Sequence, residues 1–298
     1  MSEYDYIGVI YSPNSTGDAE KLAKSFARAV EKHGKSIGQK VQLVPTKRAG
    51  HAIELARALS KKYKRPLIVS SSGDGGYNEL INGVMQAKKQ KRSAAPVVAV
   101  LAAGNANDHK RVMRGDSKLI ELLLHSHPKP LDLLYITAGR FERYAHSYIG
   151  FGITSSVGAE LDSSNKGLAG EAGLAARTIV AHEPIQVERN GRTRRYDSMV
   201  FANINEMAKV VRLNARRTVT DGKFELVLHR HYGAVRSALS LLRTALFGAQ
   251  RPRQFSSYSF RTNAPSVQCD GEVNTLPTTS MLKVTITSVQ HAVESLYN

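Results

Sequence analysis

The chain contains a single cysteine, Cys269, and no tryptophan. A lone thiol cannot close an internal disulfide, so the fold stands without covalent cross-links, as expected in a reducing compartment. Long apolar runs are also missing. P-V-V-A-V-L-A-A, from Pro96 to Ala103, falls well short of the roughly 20 residues that a membrane-spanning helix needs. The N-terminal M-S-E-Y-D-Y carries acids and no basic region, so no secretory signal is expected and the cytoplasm is the default location. Acidic residues are scarce: 25 Asp and Glu stand against 42 Lys and Arg, a net charge of +17. Such a surplus suggests a polyanionic partner, whether nucleic acid, a phosphate-rich ligand or an anionic membrane face. The chain has no helix-turn-helix or aromatic-rich RNA motif, so nucleic acid is the least favoured of these.

What is present is an ordinary globular composition, 42% hydrophobic, over 298 residues, long enough for two domains. The first 130 residues alternate in type. Tyr6 to Tyr11, Val41 to Val44, Pro66 to Ser70 and Pro96 to Leu101 read as strands. Asp18 to His33, Ala52 to Tyr63, Glu79 to Ala87 and Ala106 to Arg114 read as helices. Strands this continuously apolar, separated by helices, predict a Rossmann-like parallel sheet covered on both faces. After H-P-K-P (His127 to Pro130) short β-like runs dominate: Leu133–Thr137, Ala145–Gly150, Ile185–Glu188, Met199–Asn203, Phe224–Leu228, Ser266–Gln268 and Met281–Ile286. R-N-G-R (Arg189 to Arg192) is a two-residue hairpin turn. Helical patterns interrupt at Leu168–Ala181 and Val235–Leu246. We expect a 1–130 α/β nucleotide-binding domain, rejoined by the tail 287–298, and a 131–286 mostly antiparallel β-sandwich domain for the substrate.

One stretch concentrates the chemistry. S-S-S-G-D-G-G-Y-N-E (Ser70 to Glu79) follows the strand P-L-I-V and leads into a helix. Serines and glycines at the carboxyl end of a parallel strand expose backbone N–H groups at a helix start. Glycines there allow positive φ and let a phosphate approach the main chain. The helix dipole adds partial positive charge at the same point. The pattern is neither G-x-G-x-x-G nor a P-loop, so composition alone supports a phosphate site and nothing finer.

The residue order goes further. Gly73-Asp74-Gly75-Gly76-Tyr77-Asn78-Glu79, followed by Asn82-Gly83, resembles the G-G-D-G-T-x-N-E…N-G motif of the diacylglycerol kinase catalytic-domain family, which includes bacterial lipid kinases and sphingosine kinases. S-P-N-S-T-G (Ser12, Pro13, Asn14, Ser15, Thr16, Gly17) is similar to that family's first nucleotide loop with one residue inserted. L-A-A-G-N-A-N-D (Leu101 to Asp108) resembles L-P-L-G-T-x-N-D, and C-D-G-E (Cys269 to Glu272) resembles the late D-G-E. The matches keep their order along nearly the whole chain. Ser72 stands for the family's first glycine, Gly76 for its threonine, Ala102 for a proline and Asn105 for a second threonine. Gly76 removes a hydroxyl, whereas Asn105 keeps a donor in its amide.

The resemblance implies an enzyme that uses ATP and Mg²⁺ to phosphorylate a lipid hydroxyl in lipid metabolism and phospholipid biosynthesis. It implies nucleotide contacts from Ser12 to Gly17, Thr46, Ser72 to Glu79, Gly104 and Asn105. The general base is Glu272 by the bacterial pattern or Asp74 by the sphingosine kinase pattern. Asp270 is a further candidate. Asp270 and Glu272 would face the same side of an extended segment, unless Gly271 opens a turn. T-V-T-D-G-K-F (Thr218 to Phe224) resembles the family's metal loop, with Asp221 and the carbonyls of Thr218 and Lys223 around Mg²⁺. The implied partner is a lipid at an anionic membrane, reached by peripheral association with its inner face. No obligate protein partner is evident, and a homodimer is compatible with the pattern. Rival readings are a soluble NAD kinase-like enzyme and an inactive relative that binds nucleic acid.

Overall fold

The computed structural model describes residues 3–13, 17–33, 40–90, 95–155, 183–207, 211–212, 219–233, 252–277 and 281–298, with scattered positions between 236 and 248. The expected helix Leu168–Ala181, the nucleotide contacts expected at Asn14, Ser15 and Thr16, and the metal ligand expected at Thr218 lie outside the described residues. Of the expected helix Val235–Leu246, the described positions 236–237, 239–240 and 243–244 are helical. The chain divides into two compact units, Met1–Leu133 with Gln290–Asn298, and Leu134–Val289.

The first unit is a parallel α/β layer. Its elements are β1 (Tyr6–Tyr11), α1 (Ala19–Lys32), β2 (Val41–Pro45), α2 (His51–Lys62), β3 (Pro66–Ser72), α3 (Asp74–Gln90), β4 (Val97–Ala102), α4 (Asp108–Arg114) and α5 (Leu119–His125). The strands lie in the order β2-β1-β3-β4, each pair parallel. Strands β1 and β3 are buried almost throughout because helices cover them, which is why they read as unbroken apolar runs. Helix α1 buries Ala19, Ala23, Phe26, Ala27 and Val30, a three-to-four-residue spacing that turns one stripe to the sheet. Its Phe26 and Val30 join Ile7, Val9, Leu67, Val69, Val97 and Leu296 in one core.

The second unit is antiparallel. It begins within β5 (Lys129–Ala138) and continues through β6 (Phe141–Ala145), β7 (Tyr148–Gly152), β8 (Ile185–Arg189), β9 (Arg192–Ala202), the short β10 (Glu206–Met207) and β11 (Val211–Arg212), and β12 (Phe224–Arg230). It then adds β13 (Arg253–Phe255), β14 (Ser257–Thr262), β15 (Ser266–Cys269), β16 (Glu272–Thr275) and the first part of β17 (Leu282–Ser295). Strands follow the order β16-β15-β7-β9-β8-β14-β17, and β12 also pairs with β9. Asn190 and Gly191 both have positive φ, 52° and 70°, closing the expected β8–β9 hairpin. The core is aromatic: Phe151, Phe201, Phe224, Tyr258 and Phe260 pack edge-on or stacked at 5.5–6.1 Å. The run Ala145–Gly150, expected as one strand, is broken at His146 and Ser147, which turn the chain from the end of β6, paired with β5, into β7, paired with β9 and β15.

The end of β17 returns to the first unit, pairing Glu294 and Ser295 in parallel with Val97 and Val98 of β4. That return needs a bend, and His291 supplies it with a φ of 48°. The buried Asp132 accepts the His291 N–H at 2.7 Å, and Lys88 Nζ donates to the Ala292 carbonyl at 2.6 Å. Replacing Asp132 with Ala would leave the His291 amide without its acceptor and is expected to lower unfolding free energy by about 1–2 kcal/mol. His291→Gly should raise it by up to about 1 kcal/mol, because glycine adopts positive φ without the Cβ clash. Urea denaturation measures both, and an unchanged midpoint in Asp132→Ala would show that the pin is not needed.

Candidate active site

The strand order reverses direction between β1 and β3, with β2 on one side and β4 on the other. In such a sheet ligands gather beyond the carboxyl ends of the strands at that reversal. A cleft of about 360 Å³ lies there, lined by Tyr11 and Ser12 after β1, Thr46 and Lys47 after β2, Ser70 and Ser72 of β3, and Gly76 and Glu79 of α3. Ser12, Thr46, Ser72, Gly76 and Glu79 are thus brought together. Lys47 and Arg48, also in the lining, were not singled out from sequence. Their position immediately after Thr46, at a strand end, was the available signal.

The glycine-rich stretch is not a free loop. Helix α3 begins at Asp74, five residues before the expected start at Glu79, so the motif is the helix's first turn. Residues 72, 76 and 79 fall on one side and line the cleft. Tyr77 and Asn78 fall on the other and are fully buried. The Tyr77 ring packs on His109 at 5.2 Å, and Asn82 Nδ2 donates to Asn78 Oδ1 at 3.0 Å. Glu79 Oε1 accepts the Gly50 N–H at 2.9 Å, holding the loop between β2 and α2 against α3.

None of Gly17, Gly73, Gly75, Gly76 or Gly104 has positive φ. What three of them supply is closeness. A Cβ on Gly104 would sit 2.3 Å from the Cα of Gly73, and one on Gly17 would sit 1.7 Å from the Ala103 carbonyl oxygen. The main chains after β1, β3 and β4 therefore touch directly. Asn107 braces the last of these: its Oδ1 accepts the Gly104 N–H at 3.0 Å and its Nδ2 donates to the Gly104 carbonyl at 2.6 Å. Asp74 caps the short helix that follows, its two oxygens accepting the N–H groups of Asp108 and His109 at 3.0 and 3.3 Å. Gly104 and Asn105 stand at this junction rather than in the cleft lining.

Ser72 and Gly76 depend on each other. A Cβ on Gly76 would lie 2.6 Å from both Cβ and Oγ of Ser72, whose hydroxyl meets Ser70 Oγ at 2.6 Å. The hydroxyl lost at position 76 is thus replaced by one at 72, on the same wall.

In the second unit, Asp270 and Gly271 form the two-residue turn between β15 and β16, with φ of 50° and 94°. Gly271 does open a turn, and the two carboxylates separate. Asp270 is fully buried and accepts the N–H groups of His146, Ser147 and Tyr148 at 2.7, 2.8 and 3.0 Å. It thereby fixes the β6–β7 turn, and His146 Nε2 lies 3.3 Å from it. Glu272, one-third exposed, ion-pairs with Arg143 of β6 at 2.6 Å. Burial, with Asp270 adjacent, pushes the Cys269 thiol far above its usual range, which leaves it protonated and unreactive. Asp221 is exposed, and its Oδ1 accepts the Lys223 N–H at 3.0 Å in a tight turn with Gly222 at a φ of 68°. Among the described residues no three His, Cys, Asp or Glu side chains cluster as a metal centre.

Comparison with known proteins gives these positions a context. Residues 7–136 match the family described as "Diacylglycerol kinase catalytic domain". A Staphylococcus carnosus protein named diacylglycerol kinase is 24% identical over 231 residues, 74% of this chain and 71% of that one. An Arabidopsis thaliana sphingoid long-chain bases kinase 1 is 33% identical over 99 residues, 33% of this chain and 13% of that one. A solved diacylglycerol kinase structure from Bacillus anthracis superposes with a TM-score of 0.70 at 19% identity, covering 100% of this chain and 98% of that one. Among the described residues no helix is long and apolar enough to cross a membrane.

The Ser72–Gly76 pair makes a sharp expectation. Gly76→Thr alone should lower unfolding free energy by about 1–3 kcal/mol, because the new side chain collides with Ser72, whereas Ser72→Gly/Gly76→Thr together should recover most of the loss. Calorimetry across the double-mutant cycle measures the coupling, and additive effects would show that the two positions do not share one space. Over residues 7–136 the chain is similar to the diacylglycerol kinase catalytic-domain family.

Proposed function

We propose that the protein is a lipid kinase that transfers the γ-phosphoryl group of ATP to the hydroxyl of diacylglycerol or a related lipid at a membrane surface. The observation that carries this reading is the hydroxyl- and cation-lined cleft at the sheet's reversal point, built from the stretch that matches the family. We assign nucleotide binding to the first unit and the lipid substrate to the second. Phosphoryl transfer asks a protein for position and charge stabilisation more than for covalent chemistry. Ser12, Thr46 and Ser72 offer hydroxyls to phosphate oxygens, and Lys47 and Arg48 place cations beside them. The start of α3 adds its N–H groups and dipole.

Mg²⁺ entering with ATP would neutralise charge on the phosphates. The Asp221 turn offers the carboxylate and carbonyl oxygens that suit such a hard cation, so we place a structural Mg²⁺ there. The general base is Glu272. The carboxylates of Asp74 and Asp270 are already committed to main-chain amides. Glu272 is partly exposed and ion-pairs with Arg143, which orients its carboxylate. Arg143 is then a positioning residue. A soluble enzyme of this kind reaches its substrate by peripheral attachment, and the +17 charge favours anionic bilayers.

Glu272→Gln should lower kcat on detergent-dispersed diacylglycerol by about 10² to 10⁴, with ATP affinity unchanged. Undiminished kcat would remove Glu272 from the base role. Arg143→Met should lower kcat by up to about 10² without raising the KM for ATP, and Arg143→Lys should fall between, keeping the cation but not the fork. Equal losses in Lys and Met variants would contradict the positioning role.

A further inference from the structure

Three large apolar side chains are exposed among the described residues: Leu228 at 38%, Tyr232 at 59% and Leu239 at 60%. Single exposed leucines are ordinary on a protein surface. These three lie close in sequence, and Leu228 and Tyr232 line one groove of about 570 Å³ beside β9, β12 and β13, with Leu239 next to the lining residue Ser240. Leu226 and Leu228 share one side of β12, and a bulge between His229 and Arg230 then interrupts the alternation. Leu226 pairs with Arg253 of β13 and Arg230 with Tyr196 of β9. Ser240, Arg243 and Thr244 of the following helical segment form the opposite wall.

Among the described residues the charge of this groove is one-signed: Arg194, Arg230, Arg243 and Arg253 line it, and no acidic side chain does. Among the described residues none of these guanidinium groups makes an ion pair, and Arg230 rests over the Tyr232 ring at 5.4 Å. A second copy of the chain would bring arginines against arginines, so self-association is opposed. Nucleic acid would use the cations but would gain little from exposed leucines. A bilayer surface uses both, offering phosphates to the guanidinium groups and an apolar boundary to leucine and tyrosine side chains.

We propose that this groove is the membrane-docking surface, taking the headgroup phosphates of anionic phospholipids while Leu228, Tyr232 and Leu239 enter the interface. The inference rests on the lipid kinase reading for its purpose, but its evidence lies wholly in the second unit and is independent of the nucleotide cleft.

Flotation with phosphatidylcholine vesicles, with and without phosphatidylglycerol, tests it by binding alone. Arg230→Gln/Arg243→Gln should weaken binding to the anionic vesicles about 25-fold, roughly fivefold for each basic residue. Lys61→Gln/Lys62→Gln removes the same charge from an exposed part of the first unit and should change binding less than threefold. Tyr232→Ser/Leu239→Ser should weaken it at least fivefold with net charge unaltered. Circular dichroism should match the parent in every variant, and phosphorylation of detergent-dispersed lipid should stay within twofold. Equal losses from the arginine and lysine pairs would make the attraction diffuse and overturn the proposal. Loss of duplex DNA binding or of dimerisation, with vesicle binding intact, would assign the groove to those partners and overturn it too. If the parent protein phosphorylates no lipid, the kinase reading fails, and the flotation result still decides the docking surface.

Discussion

The first unit depends on backbone touching backbone. The turns after β1, β3 and β4 meet at Gly17, Gly73, Ala103 and Gly104 with no side chain between them. This contact lets the carboxyl ends of neighbouring strands converge on one cleft, and it commits Asn107 and Asp74 to hold the junction. Glycine is required here for the room it leaves rather than for an unusual conformation. Any Cβ at Gly104 would push apart the turns after β3 and β4.

Aspartates do the equivalent work elsewhere. Asp74 caps α4, Asp132 holds the bend at His291, and Asp270 gathers three successive amides of the β6–β7 turn. A carboxylate spent on main-chain donors is a structural pin whose removal strands buried N–H groups. The sequence pattern places Asp74, Asp270 and Glu272 side by side as candidate bases. Asp74 and Asp270 accept main-chain N–H groups, and Glu272, on a partly exposed strand, ion-pairs with Arg143.

Much of the first unit was legible because its strands are continuous apolar runs and its helices amphipathic. The start of α3 was not, since Gly75 and Gly76 are poor helix formers and the tertiary contacts of Asp74 and Ser72 override that preference. The β6–β7 turn was missed for a related reason. His146 and Ser147 carry no turn signature, and their anchor, Asp270, lies far along the chain. Within the site, the spacing of Gly76 and Glu79 already encoded a common helical face once the helix start was known. The burial of Tyr77 and Asn78 follows from the same period. The docking groove had no motif to announce it, because β alternation and a following helix assemble it from separated residues.

The central claim is that this cleft serves phosphoryl transfer to a lipid. The most direct measurement is incubation with ATP labelled at the γ-phosphate, Mg²⁺ and either a lipid extract supplemented with diacylglycerol or NAD, followed by extraction into organic solvent. The account predicts label in a lipid product in the organic phase and none in NAD. Label transferred to NAD, or no transfer to any lipid, would contradict it.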